Sequence, residues 1–171
     1  MGRAMIRWAA GIAVLASLAG CNVGKPGAKE GAVIPMAKVT LVDERGTPRD
    51  LGEFLGKVVV IDVWATWCPP CRKGLPEVAA LQKKGGEAFV VVPISVDRNG
   101  WEDVRPFLAS QPGLGLQAYV PSSPESLEPF GAIPGIPTTI ILDRQGRVRD
   151  RWSGYEPGRA EVALEAALRA H

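Results

Sequence analysis

Residues 58–71 read VVVIDVWATWCPPC. With Lys57 in front, the run 57–64 is β-branched and almost unbroken in apolar residues, the pattern of a strand covered on both faces. Residues 69–84 then read as a helix, its first turn tolerating Pro69 and Pro70, with Pro76 expected to kink it. The pair Cys68 and Cys71 therefore sits where a buried strand hands over to a helix. One helical turn separates the two sulfurs, close enough for a small disulfide. Cys68 lies at the helix N-terminus, where free N–H groups and the dipole favour negative charge and so the reactive thiolate. Cys71, one turn in, is expected to be less exposed and able to resolve a mixed disulfide.

Two other readings compete for this pair. An inert clip is one, but a bridge this local removes little loop entropy. Half of a zinc site is the other. Zinc needs four ligands, and the chain has only one more cysteine, Cys21, and one histidine, His171, at its end. Redox chemistry is the reading these residues favour, and no metal or cofactor is expected. Asp62 stands inside the apolar strand, where a charged carboxylate is costly to bury. It should rest partly protonated, with a raised pKa.

Outward from this junction the chain alternates strand and helix. Residues 37–42 read as a short strand closed by the turn Asp43-Glu44-Arg45-Gly46, and 51–55 as one helical turn. A second buried strand is expected at 88–96, a helix at 101–110 and a short strand at 116–120. Residues 138–142 and 147–152 flank Asp143-Arg144-Gln145-Gly146 and predict a hairpin, with Arg147, Arg149 and Arg151 on a solvent face that discourages stray pairing. Residues 161–170 close the chain as a helix with Leu164 and Leu168 on its inner face. The order βα, βα, hairpin, helix implies a central mixed sheet with helices on its faces. Asp97 and Asn99 read as turn residues, and Trp64, Trp101 and Trp152 as packing.

The N-terminus reads as an address. Two basic residues, Arg3 and Arg7, precede an uncharged run at 8–20, WAAGIAVLASLAG. At 13 residues it falls short of the ~20 that span a bilayer and fits an export signal. Residues 22–35, NVGKPGAKEGAVIP, hold three Gly and two Pro and predict a flexible tether. The division expected is a signal at 1–20, an anchor and tether at 21–36 and one domain at 37–171.

Composition supports a single domain: 171 residues, 46% apolar and 22% charged. Taking Arg3 and Arg7 from the 20 Lys and Arg leaves 18, equal to the 18 Asp and Glu. A neutral domain of scattered charge offers no footprint for nucleic acid, and a lone terminal histidine excludes Ser-His and Cys-His catalysis.

These motifs carry a resemblance. The stretch 58–71 resembles the active-site strand and Cys-x-x-Cys of the thioredoxin superfamily. Gly135-Ile136-Pro137-Thr138-Thr139 resembles its cis-proline loop, and Ile94-Ser95-Val96-Asp97 its next strand and turn. The Pro-Pro between the cysteines, the extra N-terminal strand and the N-terminal address look most like the exported TlpA/ResA-like branch. Leu18-Ala19-Gly20-Cys21 resembles a bacterial lipobox, in which the cysteine is lipidated. The resemblance implies an α/β, three-layer thioredoxin-like fold, a central mixed sheet flanked by helices with an extra N-terminal strand or hairpin. It implies Cys68 as nucleophile, Cys71 as resolving thiol, and a redox-active disulfide between them. Ile136 and Pro137, with Trp67 and Pro69 beside the cysteines, are the expected substrate-facing residues. Asp62 matches thioredoxin's buried acid, whereas many relatives in the nearer branch carry a Glu three residues after the second cysteine, where this chain has Gly74.

The implied activity is disulfide reduction in exported proteins, with cytochrome c maturation or metal-site cysteines as roles. It is fed by a membrane electron donor and carried out by a lipid-anchored monomer on the outer side of a bacterial membrane. A disulfide-forming oxidant and a Cu(I) carrier on the same thiolates are the alternatives.

Overall fold

The computed structural model describes residues 26–170, so the expected signal at 1–20, Cys21 and the start of the tether lie outside the described residues. The strand that decides the fold is β3, Val58–Trp64; the preceding hairpin consists of β1, Thr40–Val42, and β2, Pro48–Asp50. After β3 come helix α1, Pro69–Lys84, β4, Phe89–Ser95, helix α2, Trp101–Ala109, β5, Val120–Pro121, β6, Thr138–Leu142, β7, Val148–Ser153, and helix α3, Arg159–Arg169.

The main sheet runs β4-β3-β6-β7, with β3 parallel to β4 and antiparallel to β6. This is the thioredoxin-like α/β arrangement expected, a mixed sheet flanked by helices. A small sheet β2-β1-β5 sits beside it. The expected strand at 116–120 is shorter: Tyr119 bridges Ile94, extending the main sheet, and Val120–Pro121 pairs with β1. One segment thus stitches the two sheets, and a stretch split between two partners carries no run long enough to announce itself as a strand.

All seven residues of β3 are buried, because both faces of the sheet are covered. Alternation sorts them. Val59, Ile61 and Val63 pack with Ile34, Met36, Phe130 and Ile140 on one face. Val58 and Val60 pack with Leu81, Ile141, Trp152 and Leu164 on the other, under α1 and α3. Asp62 shares the parity of Val58 and Val60, so its side chain points to the side of α1. Helix α1 runs through Pro76 without a break, and Leu164, Ala167 and Leu168 form the inward stripe of α3.

Two expectations need correction. The packed chain begins before residue 37: Ile34 and Met36 are buried in the core, Val33 bridges Arg147, and the N–H groups of Gly31 and Ile34 donate to the carbonyls of Val148 and Gly146. Glycines and prolines at 26–35 read as a tether, but the free edge of β7 offers them backbone partners. Arg147, just before β7, and Arg151 within it are also more than solvent-facing charge. Arg147 donates to Gly31 O, and Arg151 donates to the carbonyls of Phe130 and Ala132, so long side chains on an edge strand hold down the neighbouring loops.

Candidate active site

Cys68 caps α1: its Sγ accepts from the Cys71 N–H at 3.2 Å, with Pro69 and Pro70 in the first turn. Cys68 and Cys71 are joined as a disulfide with their Cα atoms 5.2 Å apart. Both residues are buried, at 3% and 2% exposure. The expected contrast in exposure between them is therefore absent in the bridged form, where each sulfur shields the other. What reaches solvent is the rim: Trp67, 66% exposed, and Pro69.

Facing the disulfide is the loop before β6. The Ile136–Pro137 bond is cis, and the Ile136 carbonyl oxygen lies 3.7 Å from Cys68 Sγ. The loop is fastened on both sides. The Thr138 hydroxyl donates to Gly135 O at 2.6 Å, and the Gly154 N–H donates to Pro137 O at 2.8 Å. Ile136 is half-buried and Pro137 buried, so the sequence-predicted residues Trp67, Pro69, Cys68, Ile136 and Pro137 do converge on one face.

Asp62 lies behind the pair. It is 5% exposed and stands opposite Thr139 in the β3–β6 register; Thr139 in turn stands opposite Trp152. Cross-strand neighbours on one face touch, and the Thr139 hydroxyl donates to Asp62 Oδ1 at 3.3 Å. Burial pushes the Asp62 carboxyl up from the usual carboxylate range to about 7, opposed in part by that hydrogen bond. Asp62, Cys71, Gly74, Glu77, Thr139 and Tyr155 line a cavity of about 30 Å³.

Three residues escaped the sequence reading. Asp97, expected to close a turn, is buried and accepts from the Thr66 N–H at 2.9 Å, the Thr66 hydroxyl at 2.7 Å and the Ser95 hydroxyl at 2.7 Å. It braces the Ala65-Thr66-Trp67 turn that presents Cys68. Tyr155 and Glu77 belong to the cavity, and nothing in their local sequence marks them. Among the described residues no group of three or more His, Cys, Asp or Glu could hold a metal ion.

Comparison with known proteins gives this geometry a family. The Redoxin family model matches residues 29–168. The chain belongs to the Redoxin family. Among Redoxin relatives, the thiol-disulfide oxidoreductase ResA of Bacillus thuringiensis subsp. konkukian is 30% identical over 116 residues, 68% of this chain and 66% of the relative. The chain thus spans just under two thirds of that relative's length. Among solved structures, a Chlorobium tepidum protein described as a thiol:disulfide interchange protein DsbE superposes with a TM-score of 0.71 at 29% identity, over 82% of this chain and 99% of its own. A second C. tepidum thiol:disulfide interchange protein of the thioredoxin family gives 0.67 at 26% identity, over 84% and 99%. The match to residues 29–168 agrees with the early start of the packed chain. No helix among the described residues is long and apolar enough to cross a membrane.

Proposed function

We propose that this chain is a thiol-disulfide oxidoreductase that reduces disulfides in exported proteins, held at the outer side of a bacterial membrane by lipid on Cys21. The observation that carries the redox reading is the Cys68–Cys71 pair at the head of α1, with the carbonyl of Ile136 3.7 Å from the leading sulfur. That carbonyl and the exposed rim of Trp67 and Pro69 suit a substrate chain laid against the loop as a short added strand. The relatives named thiol-disulfide oxidoreductase and thiol:disulfide interchange protein support the same chemistry.

The Cys68 thiolate attacks a substrate disulfide, and one substrate sulfur leaves with the electron pair and takes a proton. Asp62 accepts the proton of Cys71, whose sulfur then attacks Cys68, closing the internal disulfide and releasing the second substrate thiol. The substrate gains two electrons from the two protein sulfurs and takes its two protons from water, while the one proton of Cys71 passes to Asp62. A membrane electron donor restores the dithiol. Cysteines that must stay reduced to accept haem or a metal are the substrates this reading favours.

The test is the reduction potential of the pair in the full chain in detergent micelles, equilibrated with thiol buffers. A value near about −270 mV fits a reductase, whereas one near about −120 mV would reverse the assigned direction and make the protein an oxidant.

A further inference from the structure

The cavity beneath the disulfide is lined by buried Asp62 and Cys71 and by half-buried Glu77 and Tyr155. Among the described residues the Asp62 side chain has one hydrogen-bond partner, the Thr139 hydroxyl, yet a carboxyl that takes a proton from Cys71 must return it to bulk water in every cycle. The cavity, about 30 Å³, has room for a water, which needs some 10–15 Å³ and two to four polar partners. Asp62, Thr139, Glu77 and Tyr155 supply those partners around it.

Glu77 stands at the outer end. It lies on α1, one turn beyond Gly74, and is half-buried, so its carboxylate meets both the cavity and solvent. Its Oε2 accepts from the Tyr155 hydroxyl at 3.3 Å and its Oε1 from the Gly158 N–H at 3.0 Å. Desolvation and the nearby Glu77 charge hold the Tyr155 hydroxyl above its ordinary value, which keeps it a donor. The ring of Tyr155 fits only because residue 74 is glycine: a Cβ there would lie 2.8 Å from the ring.

The other groups facing Asp62 do not serve. From α1 the second titratable group is Cys71 itself. β6 presents Thr139, β4 places Pro93 beside Asp62, and α3 contributes Ala160. Glu156, on the loop with Tyr155, lines the cavity but pairs with Arg159 at 2.6 Å. Arg159 in turn stacks over Trp152 and lies 3.9 Å from Asp150.

We propose that Glu77, positioned by Tyr155, is the relay through which Asp62 exchanges its proton with solvent. The inference rests on Asp62 acting as the proton acceptor for Cys71. As Cys71 Sγ bonds to Cys68 Sγ, the bond from Cys68 to the substrate sulfur breaks and that sulfur leaves with the electron pair. The proton left on Asp62 crosses the cavity to the Glu77 carboxylate and passes from there to bulk water.

The test is single-turnover oxidation of the reduced full chain, in micelles, by a short cyclic peptide disulfide. It is followed by tryptophan fluorescence across pH in weakly buffered solution and again with added imidazole. Glu77→Gln keeps the shape and an acceptor for Gly158; it should slow the reaction about tenfold at pH 7. Imidazole should restore most of that loss, because an external base replaces a relay but not a missing brace. Glu77→Asp should retain the wild-type rate within about threefold. A wild-type rate in Glu77→Gln, or a loss that imidazole does not restore, overturns the relay. Asp62→Asn separates the two levels. An unchanged rate and pH profile there removes Asp62 from the mechanism and the relay with it. A slowed Asp62→Asn beside a normal Glu77→Gln removes the relay alone.

Discussion

Asp62 shows how far a single residue can be read in advance. One acid inside a β-branched run must be buried, and burial must raise its pKa; both follow from composition and alternation. The consequence for stability has a definite sign. The native carboxyl titrates near 7 and the unfolded one near 3.8, so between those values the native state holds a proton the unfolded state has released. Stability therefore falls as pH rises from about 4 to about 7 and levels off above that. That difference between the two states corresponds to on the order of 4 kcal/mol. Asp62→Asn should stabilise the oxidised protein by up to that amount at pH 8 and by almost nothing at pH 4, measured by urea unfolding at the two pH values. Equal effects at both would show that the carboxyl titrates normally. Gly74, by contrast, was legible only as a departure from a pattern; that its missing Cβ admits the Tyr155 ring, 81 residues away, is invisible in the local text.

At the scale of elements, boundaries were most legible where chemistry punctuates them. Helix α1 runs from Pro69 to Lys84 as expected, with its two prolines in the first turn, and β6 spans Thr138–Leu142 as expected. The connection after β4 was not legible, because its function is a long-range bond. Asp97 reads as a turn residue and does hold a turn, its carbonyl accepting from Gly100, but its side chain reaches back 31 positions to Thr66. Buried donors left without an acceptor cost about 1–3 kcal/mol each. Asp97→Ala leaves the Thr66 N–H without an acceptor, whereas the Thr66 and Ser95 hydroxyls can rotate, so it should cost about 2 kcal/mol, on the order of 6 °C in Tm for a domain this size, and slow disulfide exchange by loosening the turn before Cys68. Calorimetry and a turnover assay on one preparation check both; an unchanged melting temperature would mean the turn holds without Asp97.

For the whole molecule, the difference lies at the N-terminal end. Residues 26–36 look like linker because four of the eleven are Gly or Pro, yet Ile34 and Met36 are each 3% exposed in the main core. Burying two such side chains stabilises by about 3–6 kcal/mol. A chain beginning at Pro26 should therefore unfold at clearly higher urea than one beginning at Ala37, by circular dichroism; coincident midpoints would return these residues to the tether.

The sequence by itself determined the buried strand, the cysteine pair at the head of a helix, the mixed-sheet architecture and the raised acid behind the disulfide. Each of these follows from local periodicity, capping and burial, which operate over a few residues. Only the tertiary structure decided that Tyr155 and Glu77 close the cavity over Asp62, that Asp97 braces Thr66, that Arg151 of β7 holds the loop at 130–132, and that the apparent tether is core. These are contacts between segments far apart in the chain, and no spacing rule within one segment encodes the partner in another.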